Sequence, residues 1–161
     1  MAVRARFERD DVVQYLKRKL ELVEKAIVAR LTELGERCVA EARSLNTYRD
    51  QSGNLRSSIG YVVVRNGSVV RMSGFEQVQP WAGFEGDVSS QGAEQGRALA
   101  SSLANSLRYS SGYALIVVAG MSYAAYVEAK GYDVLDSAEK LAERELPRML
   151  QRIRSNVKSM R

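Results

Sequence analysis

The chain contains no histidine, and this absence removes much of the common catalytic chemistry. A Ser-His-Asp or Cys-His nucleophile system uses an imidazole as its general base, and many zinc sites use one as a ligand. Any catalytic role would have to rest on carboxylates, lysine or tyrosine. The sequence therefore disfavours an enzyme before any motif is considered.

Cysteine is almost as scarce as histidine. Cys38 is the only one, so no disulfide can form within the chain. Because it falls on the apolar side of a predicted helix, we expect a small core residue and not a reactive thiol. The sequence also has no Walker loop, no Gly-rich dinucleotide fingerprint and no cysteine cluster. It therefore carries none of the motifs that usually mark a nucleotide cofactor or a cysteine-ligated metal.

Long apolar runs are missing as well. No segment reaches the roughly 18 consecutive apolar residues that indicate a membrane span. Residues 1–11 are charged where a signal peptide would be apolar, so we expect no membrane partner and a protein kept in a cytoplasm. A hydrophobic content of 45% and a charged content of 27% are typical of globular chains. Residues 1–161 are predicted to form one domain.

The first predicted element is a long helix from about Asp11 to Leu45. Its apolar residues recur at a spacing of 11, which keeps them on one face without supercoiling. They are Leu16, Leu20, Val23, Ile27, Leu31, Leu34, Cys38, Ala42 and Leu45. At ~1.5 Å per residue the helix would be about 50 Å long, more than a small sheet can cover. We therefore expect a bend at Gly35 or an overhanging end that packs on another subunit.

The next elements are predicted strands. Two β-branched runs flank Asn66-Gly67 and predict a hairpin over 58–73, because both residues of a type I′ turn need positive φ. An apolar run predicts a buried strand at 113–119. Between them, the excursion 75–112 is rich in Gly, Ser and Gln. It is interpreted either as a surface for partner contacts or as a poorly ordered insertion.

Within the excursion, Leu99, Leu103 and Leu107 predict a helix over about 94–107. After the strand we expect a short helix at 122–129, a short strand at 132–135 and a last helix from Asp136. Pro147 predicts a kink or break near Leu146. The fold class is α+β, with a long N-terminal helix, a small mostly antiparallel sheet, a helical insertion and a C-terminal helix.

The most informative feature is a pair of short segments. The first, Ser52-Gly53-Asn54-Leu55-Arg56-Ser57-Ser58-Ile59, joins the long helix to the hairpin. We expect Gly53 to take positive φ, and Leu55 and Ile59 to be buried. Arg56 is expected to face solvent or a carboxylate, for which Glu128 is a candidate. A folding role at this junction and a ligand-recognition role for Arg56 are both open.

The second segment, Gly120-Met121-Ser122-Tyr123-Ala124-Ala125-Tyr126-Val127-Glu128, follows the strand at 113–119. Tyr123, Tyr126 and Val127 lie near one helical face and are expected to anchor the short helix on the sheet. In the alternative interpretation, the two tyrosines line a small pocket with Glu128. Glu128, Asp133 and Asp136 also suggest a hard-cation site, but they match no EF-hand loop.

In order and spacing, these segments resemble the tail-completion family of tailed bacteriophages, small neck proteins at the head–tail junction. In that family a Ser/Thr-Gly-x-Leu-Arg-x-Ser-Ile stretch follows a long N-terminal helix, and Tyr-Ala-x-Tyr-Val-Glu follows a later strand. The matching residues are Ser52, Gly53, Leu55, Arg56, Ser58, Ile59, Tyr123, Ala124, Tyr126, Val127 and Glu128. The chain departs from the family after Glu128, where Ala129-Lys130-Gly131-Tyr132 replaces a Gly-Thr turn.

The resemblance implies a structural protein of a phage or prophage virion, located in the neck or tail and, during assembly, in the host bacterial cytoplasm. It implies a homo-oligomeric ring between the head connector and the tail terminator or tail-tube proteins, without cofactor or catalysis. Closed rings use two different patches on each subunit. The overhanging helix and the 75–112 excursion are the expected patches.

The C-terminal segment 148–161 is basic and contains no acidic residue. Its cations are Arg148, Arg152, Arg154, Lys158 and Arg161. They suit a solvated helix end, where the macrodipole favours positive charge, or a contact with DNA or an acidic protein. Two other functions stay open: a cytoplasmic nucleic-acid-binding module, and a small enzyme with a carboxylate–tyrosine site around Glu128 and Tyr126.

Overall fold

The computed structural model describes residues 6–86, 90–106 and 111–159. It has the expected α+β architecture. In chain order the elements are α1 (Arg9–Ser44), α2 (Asn54–Ser57), β1 (Ile59–Arg65), β2 (Ser68–Gly74), α3 (Gln91–Ala104), β3 (Tyr113–Ala119), α4 (Ala124–Ala129) and α5 (Asp136–Ser159).

The described strands form one antiparallel sheet in the order β2-β1-β3. The predicted hairpin is confirmed: Asn66 and Gly67 have φ of 49° and 77°, as a type I′ turn requires. β1 lies in the centre and is buried on both faces. Its side chains alternate, so Tyr61 and Val63 face one side while Val62 and Val64 face the other.

Helices cover both faces of the sheet. α1 and α5 pack on the Tyr61 side, where Leu34 and Cys38 join the larger apolar cluster. Cys38 is fully buried, as expected, and burial raises the pKa of its thiol. α3 packs on the opposite side, over Val62 and Val64. The sheet is thus the middle layer of three.

The helix predicted at about 94–107 is present as α3, but the leucines that indicated it do not form its buried face. Leu99 and Leu103 are each 38% exposed, and Leu107 lies outside the described residues. The buried face consists instead of small residues, namely Gly92, Ala93, Gly96, Ala100 and Ala104. A Cβ at Gly96 would collide with the Ser58 carbonyl oxygen and the Phe75 ring. The small face therefore lets α3 approach the sheet closely, and the leucines are left outside.

Two predicted helix interruptions do not break their helices. α1 runs unbroken through Gly35, where a Cβ would lie 2.5 Å from the Tyr61 ring, so this glycine makes room for the ring. α5 runs unbroken through Pro147. Proline removes a hydrogen bond to the Glu143 carbonyl. Both residues are exposed, so water can take its place.

No strand forms at 132–135, contrary to expectation. The backbone there bonds to side chains in place of another strand. Glu128 Oε2 accepts a hydrogen bond from Leu135 N (3.1 Å), and Thr47 Oγ1 donates to Asp133 O (3.0 Å). The segment is thereby held as an irregular lead into α5.

α1 and α5 form an antiparallel pair. Cys38 Sγ donates to Ala138 O (3.5 Å), and further along Arg37 pairs with Glu145 (3.1 Å). Extended at ~1.5 Å per residue from these two contacts, Ser159 at the end of α5 comes level with a residue of α1 between about 17 and 23. The first part of α1, which we term the overhang (residues 9–22), is exposed except for the half-buried Lys19.

Candidate functional site

The first motif forms a tight turn around a buried carboxylate. Asp50 Oδ1 accepts from Leu55 N (3.3 Å) and Oδ2 from Arg56 N (2.8 Å), which satisfies amides that have no acceptor within the first turn of α2. Gly53 has φ of 75°, as predicted. Leu55 and Ile59 are buried, also as predicted. Sequence reasoning missed Asp50, although it is a residue type common just before helices.

Ser58 joins the two motifs. Its hydroxyl donates to Leu55 O (2.7 Å) and accepts from Gly120 N (3.1 Å) and Met121 N (3.3 Å). The side chain is fully buried. The end of β3 is therefore attached to the turn that starts β1, and the two motifs meet in space.

Arg56 does not pair with Glu128, contrary to expectation. Its Nη2 donates to Leu45 O (2.8 Å) and to Asn46 Oδ1 (3.1 Å), at the C-terminal end of α1. These are backbone and amide acceptors and carry no formal charge. None of the acceptors that Arg56 bonds therefore neutralises its positive charge.

Glu128 instead caps α5. Its two carboxylate oxygens accept from Leu135 N (3.1 Å) and Asp136 N (3.1 Å). A carboxylate at a helix N-terminus is favoured by the macrodipole as well as by these hydrogen bonds. Although the chain departs from the family pattern directly after Glu128, this residue has a clear structural role.

The tyrosines of the second motif do not anchor α4 as expected. Tyr126 is 64% exposed, with Lys130 Nζ 5.2 Å from its ring centroid. Tyr123 is also exposed, and only Val127 of the three residues packs against the core. Ala124, which is buried, completes the contact. Ala124 and Val127, and not the two tyrosines, therefore attach α4 to the core.

This geometry does not assemble the carboxylate–tyrosine site. Glu128 lines a cavity with Ala124, Ala125 and Leu135, whereas Tyr123 lines a different one. The three carboxylates weighed as a cation site are also separately engaged: Asp133 accepts from Ser137, and Asp136 pairs with Lys140. No metal-binding group of three acidic or cysteine residues occurs within the described ranges.

A groove lies beside the junction of the motifs. Its first cavity, of about 290 Å³, is lined by Tyr48, Arg49, Asp50, Arg56 and Trp81 among others. An adjoining cavity of about 280 Å³ shares Tyr48, Arg49 and Asp50 and adds side chains from both motifs and the excursion, among them Leu55, Phe84, Tyr123 and Val127. We term the two together the motif groove.

Two arginines, Arg49 and Arg56, and one carboxylate, Asp50, give the motif groove its charge. The Arg49 guanidinium stacks on Trp81, 3.6 Å from the ring centroid. Burial raises the pKa of Tyr48 to about 12, with Arg56 partly offsetting the rise, so the phenol is neutral at ordinary pH. Burial also raises the pKa of Tyr123. Trp81 is 51% exposed.

A second charged site lies between α1 and α5. The predicted contact residues Arg148 and Arg152 line a small cavity with Arg30 and Arg37. Glu145 pairs with Arg37, Arg144 and Arg148, and the hydrogen bond from Arg37 is the main reason that its pKa is lowered. We term Arg30, Arg37, Arg144, Arg148 and Arg152 the arginine cluster.

The other predicted contact residues, Arg154 and Lys158, lie further along α5 and form no ion pair with any described residue. Arg161 lies outside the described residues. Glu33 and Glu145 are the acidic partners of the arginine cluster, so positive charge exceeds negative charge along this face.

Comparison with models of known families, with curated proteins and with solved structures finds no match. None of the described helices is both long and apolar enough to cross a membrane. Functional inference therefore depends on the residues and their arrangement.

Proposed function

We propose that the protein is a structural component of a tailed-bacteriophage or prophage neck that assembles as a ring at the head–tail junction. The observation that supports this most directly is the apolar surface of the overhang. Leu16 is 59% and Leu20 60% exposed. Both lie on the apolar stripe of α1, which is buried further along the helix at Leu31 and Leu34.

The overhang carries too much apolar surface for an unpartnered helix. Its exposed large apolar residues are Val12, Val13, Tyr15, Leu16, Leu20 and Leu22. At about 25 cal/mol per Å² of apolar area, covering several such side chains contributes several kcal/mol to association. In a homo-oligomer, a neighbouring copy of the chain can cover this apolar surface on every subunit.

A second exposed apolar surface lies elsewhere on the molecule. Leu99 and Leu103 project from α3, on the other side of the sheet from α1. Two different patches on one subunit are what a heterologous, ring-forming interface needs. In the proposed ring, the overhang of one copy and α3 or a nearby surface of the next meet at each interface.

The remaining partners follow from the motif resemblance. The proposed neighbours are the head connector on one side and the tail terminator or tail-tube proteins on the other. The arginine cluster would then contact DNA in the channel through phosphates, without reading sequence. The motifs serve as the frame of the fold, and no catalytic step is assigned to them.

The ring proposal is tested by measuring mass alone and with a candidate connector, using light scattering after size exclusion. We expect the 17.9 kDa chain to form a higher oligomer in at least one condition. Replacing Leu16 and Leu20 together with Gln should leave it monomeric in both. Leu22→Gln is the matched control, because two residues past Leu20 turn it about 200° to the opposite side of the helix. A wild-type monomer in both conditions would refute the ring.

A nucleic-acid-binding module is the second candidate function, favoured by the same arginine cluster. It differs from the ring proposal in one measurable respect: the monomer alone should bind duplex DNA. Binding should weaken steeply with salt, since phosphate contacts release counterions. The Leu16→Gln/Leu20→Gln protein is the appropriate sample, because it separates DNA binding from assembly.

A further inference from the structure

The motif groove has a composition that the folding role of the motifs leaves unexplained. Asp50 and Ser58 hold the turn together through their hydrogen bonds. Arg49 and Trp81 are exposed and stack on each other across the mouth of the groove. Tryptophan, tyrosine and arginine are the residues most enriched at the energetic centres of protein interfaces. Such a cluster points to a bound partner.

The groove selects for negative charge. Arg49 makes no hydrogen bond or ion pair with any residue that the structure describes, and stacking on Trp81 leaves the edge of its guanidinium available. Asp50 lines the same cavity, and its carboxylate oxygens are taken up by backbone amides and form no ion pair with Arg49. Arg56 adds a second cation bonded to neutral acceptors. Two arginines against one carboxylate leave the lining with a net positive charge for a ligand entering the groove.

Two buried polar atoms belong to residues that line the groove together with Arg49. Tyr48 Oη and Arg56 Nε have no hydrogen-bond partner among the described residues. A buried polar group without a partner destabilises a protein, so an acceptor delivered here would recover part of that loss. Both atoms are buried, whereas the Arg49 side chain is exposed. Arg49 is therefore the group that makes the first contact.

The shape of the groove favours a carboxylate over a phosphodiester. A guanidinium edge matches a planar carboxylate with two parallel hydrogen bonds. The walls are the rings of Trp81, Phe84 and Tyr123, which suit an aliphatic stem and flanking apolar residues. Nucleic-acid backbones bind along a track of several cations, and this chain has such a track on α1 and α5 instead.

We propose that the motif groove binds an aspartate or glutamate side chain of a protein partner, held by Arg49 and packed between the aromatic walls. This goes beyond the ring proposal and does not depend on it. The groove lies at the C-terminal end of α1, whereas the overhang is at the opposite end of a 36-residue helix. The two surfaces can therefore be tested separately.

Trp81 is the only tryptophan in the chain, so its fluorescence reports directly on the groove. The probe is a blocked peptide, Ala-Leu-Glu-Leu-Ala, titrated to millimolar concentration against the full chain. We expect a saturable change with the Glu peptide and at least 10-fold weaker binding of the Gln peptide, since charged hydrogen bonds contribute about 1.5–3 kcal/mol. Inorganic phosphate is the third arm and should bind more weakly than the Glu peptide.

Two variants complete the test. Arg49→Gln should remove the response to the Glu peptide, and Arg49→Lys should weaken it because ammonium lacks the planar fork. Arg154→Gln, which removes an equal charge on distant α5, should leave it unchanged. Absence of a saturable response, equal binding of the Gln peptide or of phosphate, or retained binding by Arg49→Gln would each overturn the proposal. Circular dichroism verifies that the Arg49 variants are folded.

Discussion

Two buried tyrosine hydroxyls differ in what they contact. Tyr61 Oη donates to Glu36 Oε1 at 2.7 Å, which connects the central strand to α1. Tyr48 Oη has no partner among the described residues, although its ring lies beside the Arg56 guanidinium. The first hydroxyl contributes to stability and the second imposes a cost. The same chemical group therefore has opposite effects at the two sites.

Removing each hydroxyl tests this contrast. Tyr61→Phe should lower the free energy of unfolding by about 0.5–1.5 kcal/mol, the usual net contribution of a hydrogen bond. Tyr48→Phe should leave it unchanged or raise it slightly, because its hydroxyl has no hydrogen bond to remove. Urea unfolding at neutral pH measures both. Equal decreases in the two variants would mean that Tyr48 Oη has an acceptor.

The raised pKa of Tyr48 gives a further test in alkali. Its folded pKa is about 12, above the ordinary value of 10.0. Between these values the unfolded chain releases the proton while the folded chain keeps it, so this contribution to stability is complete below pH 10 and declines as pH rises towards 12. The stability of Tyr48→Phe relative to the wild type should therefore increase over that interval. A constant difference would contradict the assignment.

Ser58 tests whether the two motifs are physically coupled. Ser58→Ala removes the hydroxyl that accepts from Gly120 N and Met121 N in a fully buried place. Gly120 N keeps the Ser58 carbonyl oxygen as an acceptor at 3.2 Å, whereas Met121 N loses the acceptor that the hydroxyl supplies. We expect a decrease of about 1–3 kcal/mol in the free energy of unfolding, because a buried amide loses its acceptor. Ser102→Ala, on the exposed side of α3, is the control and should change stability by less than about 0.5 kcal/mol. A small effect at Ser58 would make the motif contact incidental.

At the scale of single elements, α1 and α3 show what periodicity can and cannot predict. The stripe of α1 correctly predicts a long helix, because its apolar residues return to one face. The leucines of α3 correctly predict a helix but do not form its buried face, because the helix packs through Gly92, Gly96 and Ala100. Hydrophobic periodicity shows which positions of a helix carry large apolar side chains. How closely the helix backbone approaches the sheet depends also on the residues that it packs against, and the periodicity of one segment carries no information about them.

Gly35 illustrates the same limit and gives a prediction for α1. Alanine is favoured over glycine in a helix by about 1 kcal/mol, yet its Cβ would lie 2.5 Å from the fully buried Tyr61 ring. We expect Gly35→Ala to destabilise the protein by roughly 1–3 kcal/mol, as overpacking does. In a Tyr61→Leu background the same change should cost less or become stabilising. A double-mutant cycle by urea unfolding measures this coupling.

At the scale of the whole molecule, the sequence predicts the types and order of the elements but not which side chains meet at the candidate sites. Element types follow from periodicity and turn chemistry, as at Asn66-Gly67. The motif groove joins Arg49 to Trp81, which is far along the chain, and nothing local to either residue indicates the other. The expected Arg56–Glu128 pair is wrong for a related reason. Arg56 donates instead to Leu45 O, and Glu128 accepts from Leu135 N at the start of α5.

In the proposed function, the arginine cluster is the surface through which the assembled protein contacts DNA. Reversing Arg148 and Arg152 of this cluster, together with Arg154 further along α5, to Glu should weaken binding to non-specific duplex DNA and flatten its salt dependence. The log–log slope should fall by roughly 0.9 for each phosphate that the variant no longer neutralises. Mass measured with the connector should not change, since these side chains lie outside the overhang.

The matched control for this reversal changes the net charge equally but elsewhere, at Lys25, Arg71 and Lys130, all of which are exposed and outside the overhang. If DNA binding depended only on net charge, both triple variants would weaken it alike, and the cluster would have no special role. If the cluster forms the contact, the control binds DNA nearly as the wild type does. Unaltered DNA binding in the Arg148, Arg152 and Arg154 variant would exclude this face as the DNA contact.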